Sequence, residues 1–377
     1  MRPSRIDQIV PSFAGRDAIG THVLHTRDVL RQAGYRSEVW AIDVLPEVRD
    51  QARPLRELDP APQPGTWWLF HHSIGTPAAE LFAARREPKL LDYHNITPAA
   101  LIEQWAPWVR DEVELGRRQL AELAPVCFFA LADSAYNAAE LAEVGYRHTT
   151  VVPPLFDLAS FERAVDLAAE QRLRAARRAG GSDWLFVGRL SPHKAQHELV
   201  KALAVHRRLF DADARLHLVG TALGEDYPRA LRRYAQRLGV GDAVDIPGLV
   251  SAGELAAYYK VADVFVCASQ HEGFCVPIVE AMHLGVPVVA RDTAAVPETL
   301  AGAGLVLHDH SALALAVAVH HVLARPAVRQ ALADAGQARA QDFSLDAGRR
   351  RLLQAVEEAV AVAADEALPV PTTGVTR

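Results

Sequence analysis

The strongest constraint on the fold is a repeated alternation of short apolar runs with longer helical patterns. The runs are largely apolar and rich in β-branched and aromatic residues, at 67–70, 89–93, 126–132, 184–188, 216–220, 263–269 and 286–290. Strands that are apolar on both faces are typical of parallel sheets covered by helices. After Arg189 the period changes, because Leu199, Val200 and Leu203 fall on one helical stripe. The pattern predicts an α/β protein.

Length and a glycine-rich break divide the chain. At roughly 150 residues per domain, 377 residues make about two or three domains. A charged, alanine-rich stretch ends in Ala179-Gly180-Gly181-Ser182, where paired glycines stop a helix and loosen the chain. We expect an N-terminal domain over 1–178, a C-terminal domain over 179–355, and a helix end with a loose tail over 356–377. Ligands of such sheets lie beyond the carboxyl ends of the strands, which predicts a cleft between two facing domains.

Composition argues against several classes of function. The net charge is −6, whereas binding to nucleic acid requires clustered, uncompensated Lys and Arg. The cysteines Cys127, Cys267 and Cys275 are too few and too far apart for a disulfide framework or a Cys-x2-Cys zinc site. No apolar run reaches the ~18 residues of a membrane-spanning helix. These features favour a cytoplasmic protein without nucleic-acid partners, and peripheral contact with the inner face of the plasma membrane stays open.

The segment 271–282 carries two glutamates around the start of a predicted helix. Pro277 suits a first helical turn and Gly285 a helix end, which predicts a helix over about 277–284. Glu272 then precedes the helix and Glu280 lies about one turn inside it. Both carboxylates would face one ligand, and the free amides of 273–276 would point at an anion. The segment predicts a site for a molecule with hydroxyls and phosphate, although Glu280 alone would more often serve to stabilise a helix start.

A second segment, from Gly188 to Lys194, has the same construction of strand, tight turn and helix start. Arg189 can bind a diphosphate through paired hydrogen bonds, and Lys194 can act on it as a point charge. The dipole of the following helix adds to both. The two segments together predict a site for a nucleoside diphosphate derivative.

These segments resemble the retaining glycosyltransferases of family 4, also called group 1. In the first half, 70–77 and 93–101 look like the bacterial branch of this family that builds surface polysaccharides. The spacing from Glu272 to Glu280 matches the E-x7-E signature of the family, and 188–194 matches its G-R-L-x-x-x-K element. The resemblance covers about 184–307. It implies a GT-B fold, with two facing Rossmann-like domains and the active site in the cleft between them. It also implies metal-independent transfer of a hexose from a UDP- or GDP-sugar, with no cofactor beyond that donor.

The resemblance also implies roles for individual residues. The catalytic set would be Glu272, His94, Arg189 and Lys194. Arg189 and Lys194 would hold the diphosphate and Glu280 the ribose hydroxyls. The remaining donor contacts would come from Leu249, Val250, Glu272, Gly273, Phe274, Cys275 and Val276. The acceptor side would be formed by Gly20, His71, His72, His94 and Asn95.

Three departures from the family pattern leave alternatives open. The loop 13–20 lacks the usual glycine pair, and Ala195 and Ala294 stand where glycine is common. The changed first loop permits a non-catalytic sugar-nucleotide-binding subunit. A nucleotide-sugar epimerase and a synthase of a soluble disaccharide, which have the same fold, also remain as alternatives. His71 and His72 have no carboxylate or third ligand at metal spacing, so we expect no metal there.

A helix is predicted over about 98–123. It would carry Trp105 and Trp108 together with Arg110, Arg117 and Arg118. The tryptophans either pack in the core or form an interfacial helix that presents a lipid-linked acceptor at a membrane surface.

Overall fold

Every strand pair in the computed structural model is parallel, as the apolar runs predicted. The structure describes residues 2–13, 18–45, 48–177 and 181–366. The strands form two sheets, and each sheet belongs to a separate unit of the chain. The α/β class and the Rossmann-like build of each unit are confirmed.

The first unit takes its described residues from 1–99, 108–156 and 343–366. Its strands are β1 Arg5–Phe13, β2 Val39–Val44, β3 Arg53–Pro54, β4 Thr66–His72, β5 Lys89–Tyr93, β6 Phe129–Ala132 and β7 Thr149–Val151. Its helices are α1 Ala18–Gln32, α2 Pro77–Ala84, α3 Pro107–Leu123, α4 Ala135–Glu143 and α14 Leu345–Asp365. The sheet order is β3-β2-β1-β4-β5-β6-β7. The order reverses between β1 and β4, and ligands of such sheets bind outside the carboxyl ends of the strands at that point.

The second unit comprises 100–107 and the described part of 157–342. Its strands are β8 Asp183–Val187, β9 Arg215–Val219, β10 Val244–Gly248, β11 Val264–Cys267, β12 Val288–Arg291 and β13 Leu305–Leu307. Its helices are α5 Leu158–Arg163, α6 Leu167–Ala175, α7 Gln196–Leu209, α8 Asp226–Arg237, α9 Ala252–Val261, α10 Val276–His283, α11 Val296–Leu300, α12 Ala312–Leu323 and α13 Pro326–Ala340. The sheet order is β10-β9-β8-β11-β12-β13, and the reversal lies between β8 and β11.

The structure divides the chain differently from the division predicted at 178/179. Helix α6 packs against α9, and the amide of Asp166 donates to the carbonyl of Gly253 at 3.0 Å. A side chain at Gly253 would lie 2.7 Å from the carbonyl oxygen of Ala164, so the contact requires glycine. After its short segment 100–107, the second unit therefore resumes at Asp157. The predicted break itself, at 178–180, lies outside the described residues.

The C-terminal helix α14 belongs to the first unit, whereas the sequence placed it at the end of the C-terminal domain. Its apolar stripe, including Leu352 and Val356, is buried in one cluster with Ile6 and Leu155. The stripe has the helical period, but the period does not indicate which core it covers. The predicted tail beyond 366 lies outside the described residues.

The helix predicted over 98–123 is broken into a 3-10 turn, Ala99–Leu101, and α3. Pro107 explains the break, because the residue before a proline disfavours the helical conformation and proline suits the first turn of a new helix. Trp105 lies before the break and packs edge-on against Tyr227 at 5.4 Å between centroids. Trp108 lies on α3 and is 58% exposed. The two tryptophans therefore do not form one interfacial helix.

Within the described ranges, no helix taken alone has the length and apolar character needed to cross a membrane. One bent pair, Ala312–Leu323 with Pro326–Asp365, meets these criteria jointly, at an angle of 95°.

Candidate donor and acceptor sites

Most of the predicted donor residues lie in two loops of the second unit, and Leu249 and Val250 follow β10. One loop follows β8 and contains Gly188, with φ of 150°, and the 3-10 turn Pro192–Lys194. The other follows β11 and leads into α10. Because β8 and β11 are neighbouring parallel strands, both loops lie at the carboxyl edge of the sheet.

Lys194 and Glu272, predicted from separate motifs, are in direct contact. The Lys194 ammonium donates to Glu272 Oε2 at 2.6 Å, and Glu272 is only 6% exposed. Burial alone would lower the pKa of Lys194, but the Glu272 carboxylate raises it above its usual value. Arg189 is exposed, and its backbone carbonyl accepts a hydrogen bond from the Gln196 amide at 2.9 Å. The loop after β8 therefore presents two cations, one of them already paired with a carboxylate.

Glu280 lies inside α10, which begins at Val276, one residue before the predicted start. Burial raises the pKa of Glu280 to about 7, against the hydrogen bond that it accepts from the Tyr259 hydroxyl at 2.7 Å. Burial also raises the pKa of Tyr259 well above its usual value. Sequence reasoning missed Tyr259, because a buried tyrosine on a predicted helix carries no signal beyond core packing.

The other predicted donor residues surround the start of α10 and the end of β10. Cys275 caps α10 in the left-handed conformation, with φ of 72°, and Phe274 is buried with its carbonyl accepting from Thr299 Oγ1 at 2.6 Å. Gly273 is half-buried. Leu249, directly after β10, is 76% exposed, and the next residue, Val250, is half-buried.

Glycines allow the backbones after β8, β9 and β10 to approach closely. The amide of Gly220 donates to the carbonyl of Gly248 at 3.1 Å, and a side chain at Gly220 would lie 2.2 Å from the carbonyl oxygen of Gly188. Because no real side chain can lie this close to a carbonyl oxygen, only glycine fits at position 220. The backbones at the ends of these three strands therefore lie in contact through their glycines.

A cluster of histidines and aspartates lies at the carboxyl edge of the first sheet. His71 Nδ1 is 3.0 Å from His94 Nε2, and the two rings stack at 5.3 Å. His94 Nδ1 is 3.0 Å from Asp133 Oδ1. Asp92 Oδ2 is 3.4 Å from His71 Nδ1 and 2.8 Å from His22 Nε2. His71 and Asp92 are register partners on β4 and β5, so their side chains lie on one face.

Burial and charge act in opposite directions on this cluster. Burial raises the pKa of Asp133 and lowers that of His71 well below its usual value. Burial would also raise the pKa of Asp92, but the three histidines lower it. Sequence reasoning missed His22, Asp92 and Asp133, although a charged residue at the end of a buried apolar strand, as in 89–93, could have identified Asp92.

The other residues predicted for the acceptor side are His72, Asn95 and Gly20. His72 points to the opposite face of the sheet from His71, where its Nε2 lies 2.9 Å from the Gly116 carbonyl and burial lowers its pKa to about 4. Asn95, at φ of 68°, donates to Asn137 Oδ1 at 2.8 Å. Gly20 is buried near the start of α1, and the preceding residues 14–17 lie outside the described part of the chain. His72 therefore does not fit the predicted acceptor wall, because its neighbours there are buried groups.

The chain is similar to known glycosyltransferases. It matches the family Glycosyl transferases group 1 over residues 170–339. D-inositol 3-phosphate glycosyltransferase of Geodermatophilus obscurus is 30% identical over 324 residues, which cover 81% of this chain and 70% of that protein. The protein of the same name in Kineococcus radiotolerans is 32% identical over 281 residues, 71% of this chain, and the match spans 64% of that protein's length.

The fold has solved counterparts. The crystal structure of HepE from Anabaena, in complex with UDP and glucose, matches with a TM-score of 0.71 at 19% identity, over 94% of this chain and 99% of that chain. The two parallel-sheet units of this chain are therefore those of the GT-B fold, as the resemblance implied. By its motifs, its fold and its relatives, this chain belongs to the group 1 glycosyltransferase family.

Proposed function

We propose that the chain is a retaining glycosyltransferase that moves a sugar from a nucleoside diphosphate to a hydroxyl of a glycan or a lipid-linked saccharide. The observation that carries the proposal is the contact between Lys194 and Glu272 at the carboxyl ends of β8 and β11. It joins a cation suited to the diphosphate with a buried carboxylate suited to the hydroxyls of a sugar. Both lie where the strand order of the sheet reverses.

In this reaction the bond between the anomeric carbon and the diphosphate breaks, so the negative charge of the leaving group must be stabilised. Lys194, the exposed Arg189 and the backbone amides at the start of α10 are suited to that task. We propose that they do so without a metal ion on the diphosphate. A diphosphate that binds Lys194 shares this cation with Glu272, which leaves the carboxylate able to accept hydrogen bonds from the sugar.

Retention would follow if the acceptor hydroxyl attacks from the face that the diphosphate leaves. The new bond joins the acceptor oxygen to the anomeric carbon, and an oxygen of the departing phosphate takes the acceptor's proton. No dedicated protein base is then required. His94, held by Asp133, would have a role in orienting substrate rather than in removing a proton.

The donor is proposed to be a UDP- or GDP-sugar. Glu280 would accept hydrogen bonds from the ribose hydroxyls, while Leu249 and Val250 would contact the base. The UDP in the HepE structure supports a nucleoside diphosphate, and the names of the two bacterial relatives support an inositol phosphate as one acceptor to test. Acceptors in this proposal are polyols or glycans with a free hydroxyl.

Thermal unfolding against a panel of UDP-, GDP-, ADP- and dTDP-sugars tests the donor site. A donor at ~100 times its dissociation constant should stabilise by about 2.7 kcal/mol and raise the midpoint by a few degrees. Lys194→Ala and Arg189→Ala should remove the shift. Arg208→Ala, which changes an exposed arginine on α7, is the matched control and should keep it. Absence of a shift with every donor would contradict the proposal.

Product analysis separates the alternatives that share this fold. A glycosyltransferase consumes donor only with acceptor, and Glu272→Ala should abolish transfer. An epimerase would convert the donor sugar without an acceptor. A disaccharide synthase would use a free sugar or sugar phosphate. A non-catalytic subunit would show the thermal shift but no consumption of donor by the wild-type protein.

We also propose a cytoplasmic location, with lipid-linked acceptors met at the inner face of the plasma membrane. All three cysteines are free thiols, which supports a reducing compartment. On α3, after the break at Pro107, Trp108, Arg110 and Arg118 are exposed, together with the acidic Asp111 and Glu112. The tryptophan and the two arginines are the groups proposed for membrane contact. Flotation with anionic liposomes at low salt tests this surface. Trp108→Ser should reduce flotation, and a wild-type protein that stays in the soluble fraction would contradict membrane contact.

A further inference from the structure

The cluster at the carboxyl edge of the first sheet has the donor set of a metal site. His22, His71, Asp92 and His94 each turn one ligand atom inward, and these atoms all lie within 4.8 Å of one another. The residues come from α1, from neighbouring strands β4 and β5, and from the loop after β5. We propose that the first unit binds a divalent metal ion between His71 Nδ1, Asp92 Oδ2 and His94 Nε2, and that zinc suits this site best.

The distances between the three ligand atoms fit a single ion. The two nitrogens are 3.0 Å apart, His71 Nδ1 is 3.4 Å from Asp92 Oδ2, and His94 Nε2 is 3.8 Å from the same oxygen. Ligand atoms on a tetrahedral zinc ion with bonds of about 2.0–2.1 Å are separated by about 3.4 Å. Two histidines, one carboxylate and a remaining position form a known pattern of zinc ligation.

With both rings neutral, the hydrogen bonds of the two histidines would leave their inner nitrogens unprotonated. His94 Nδ1 faces the Asp133 carboxylate at 3.0 Å, and His71 Nε2 faces the Gln8 amide oxygen at 2.8 Å. Each outer nitrogen therefore donates its proton, and a neutral imidazole then has only a lone pair on the other nitrogen. The lone pairs of His71 Nδ1 and His94 Nε2 meet at 3.0 Å. A cation between them turns this repulsion into ligation, and the pairing of His94 with Asp133 is typical of ligating histidines.

His22 supports the site from outside rather than ligating the ion. The backbone amide of Leu155 donates to His22 Nδ1 at 2.8 Å, which fixes the proton on Nε2. That Nε2–H donates to Asp92 Oδ2 at 2.8 Å. A protonated nitrogen cannot bind a metal, so His22 holds the ligating carboxylate, and the protein supplies three ligands.

The charge of the buried cluster also calls for a cation. Asp92 and Asp133 are almost fully buried, and the ion-pair partners found for them among the described residues are histidines. Counting the described residues alone, three neutral histidines would leave the cluster with two negative charges away from water, which is costly without compensation. One divalent ion neutralises both. Asp92 Oδ1, buried with no hydrogen-bond partner in the described structure, adds to the demand.

The proposal rests on the geometry of the first unit and not on glycosyl transfer. The ion would tie together the ends of β4 and β5. With Nε2 on the metal and Nδ1 on Asp133, His94 would take its proposed part in orienting substrate through the bound ion. Binding is therefore measured without any sugar nucleotide. It could succeed or fail independently of the donor-site experiment.

The test is metal binding by the full chain after treatment with a chelator. Cys267, Glu272 and Cys275 in the second unit also bring ligand atoms within 4.8 Å of one another, so every protein in the series carries Cys267→Ser. Zinc and, separately, cobalt are added as the metal alone by equilibrium dialysis, and bound metal is counted by mass spectrometry. Four-coordinate cobalt also gives strong visible absorption.

We expect about one zinc or cobalt ion per parent chain. This is the stoichiometry of one site with three protein ligands and one open position. His71→Gln and Asp92→Asn should lose it, and Asp133→Ala should weaken affinity about 10- to 100-fold as the loss of a supporting carboxylate does. His72→Gln is the matched control, since His72 is the next residue of β4 but points to the other face. It should bind like the parent, and circular dichroism shows whether each variant is folded.

A parent protein that binds neither metal would overturn the proposal. In that case the Gln8 amide would be turned so that its nitrogen donates to His71, and the histidines would be linked by their own protons. Equal metal content in the parent, His71→Gln and Asp92→Asn would overturn it too. If the two ligand variants do not fold, the parent decides the matter alone, through its stoichiometry and its cobalt spectrum.

Discussion

At the scale of single residues, Glu280 shows how burial makes a carboxyl group sensitive to pH near neutrality. Its pKa is raised from 4.5 to about 7 in the folded chain. A carboxyl whose folded pKa lies above its unfolded value stabilises the fold fully below the unfolded pKa, and this contribution is lost as pH rises through the folded pKa. As the pH rises from 5 to 8, we expect the free energy of unfolding of the parent to fall further than that of Glu280→Gln. The difference should be at most about 3 kcal/mol.

Urea denaturation of both proteins at each pH measures this difference. The glutamine variant keeps the volume and the hydrogen bond with Tyr259 without a titrating group, so other groups cancel in the comparison. Parallel stability curves for the two proteins would contradict the assignment of the shift to Glu280.

The pair formed by Lys194 and Glu272 predicts an asymmetric response to substitution. Lys194→Met leaves the Glu272 carboxylate buried without its cation, which should cost about 2–4 kcal/mol of stability. The double variant Lys194→Met with Glu272→Leu removes both charges and should recover most of that loss. Chemical denaturation checks both.

The exposed pair Arg110–Glu114 on α3 is the matched control for this experiment. Because exposed ion pairs contribute little, Arg110→Met should change stability by less than about 0.5 kcal/mol. Equal effects of Arg110→Met and Lys194→Met would mean that the contact between Lys194 and Glu272 is no stronger than a surface pair.

At the scale of elements, three alanines near helix ends adopt the left-handed conformation that favours glycine. Ala195 and Ala294, which stand where glycine is common, adopt φ of 51° and 49°. Ala301 ends α11 with φ of 46° and is exposed. Since a left-handed alanine is strained, Ala301→Gly should stabilise the chain by about 0.5–1 kcal/mol.

Its control is Ala335→Gly, at an exposed position inside α13, which should destabilise by about 1 kcal/mol because glycine weakens a helix interior. Thermal or urea unfolding compares the two. A loss of stability from both substitutions would show that the strain at Ala301 is negligible.

Elements marked by local signals were predictable from the sequence, and those set by distant contacts were not. Pro277 and Gly285 placed α10 to within one residue, and the apolar runs located β4, β5 and β8. Strand β1 was missed, because Arg5, Asp7 and Gln8 interrupt its apolar pattern. The uninterrupted helix predicted over 98–123 was wrong, because Pro107 ends one segment and begins the helix α3.

The two candidate sites also differ in how far the sequence could predict them. The donor-side residues lie in two short motifs of fixed spacing, and the fold needed only to bring β8 and β11 together. The cluster of the first unit draws Gln8, His22, His71, Asp92 and Asp133 from five separate segments. No spacing in the sequence links these segments, so the cluster appears only once the order of strands is known.

At the scale of the whole molecule, the last described helix completes the first unit. Leu352 on α14 is 1% exposed and packs in the cluster that contains Ile6, Leu90 and Leu155. Leu352→Ala should therefore cost about 2–5 kcal/mol, the range for truncating a buried leucine. Gln354→Ala, on the exposed face of the same helix, should change stability by less than about 0.5 kcal/mol. Comparable losses in the two variants would mean that α14 is not part of this core.

Each unit carries its own candidate site, which predicts that ligands act on separate parts of the chain. A UDP- or GDP-sugar without acceptor should slow amide hydrogen exchange most at 188–196 and 272–282, where the backbone amides and side chains of the donor site lie. At ~100 times the dissociation constant, exchange through opening of that region should slow by up to about 100-fold. Lys194→Ala should abolish the effect, and Arg208→Ala should keep it. Protection that appeared instead at the ends of β4 and β5 would place the nucleotide in the first unit and contradict the proposed donor site.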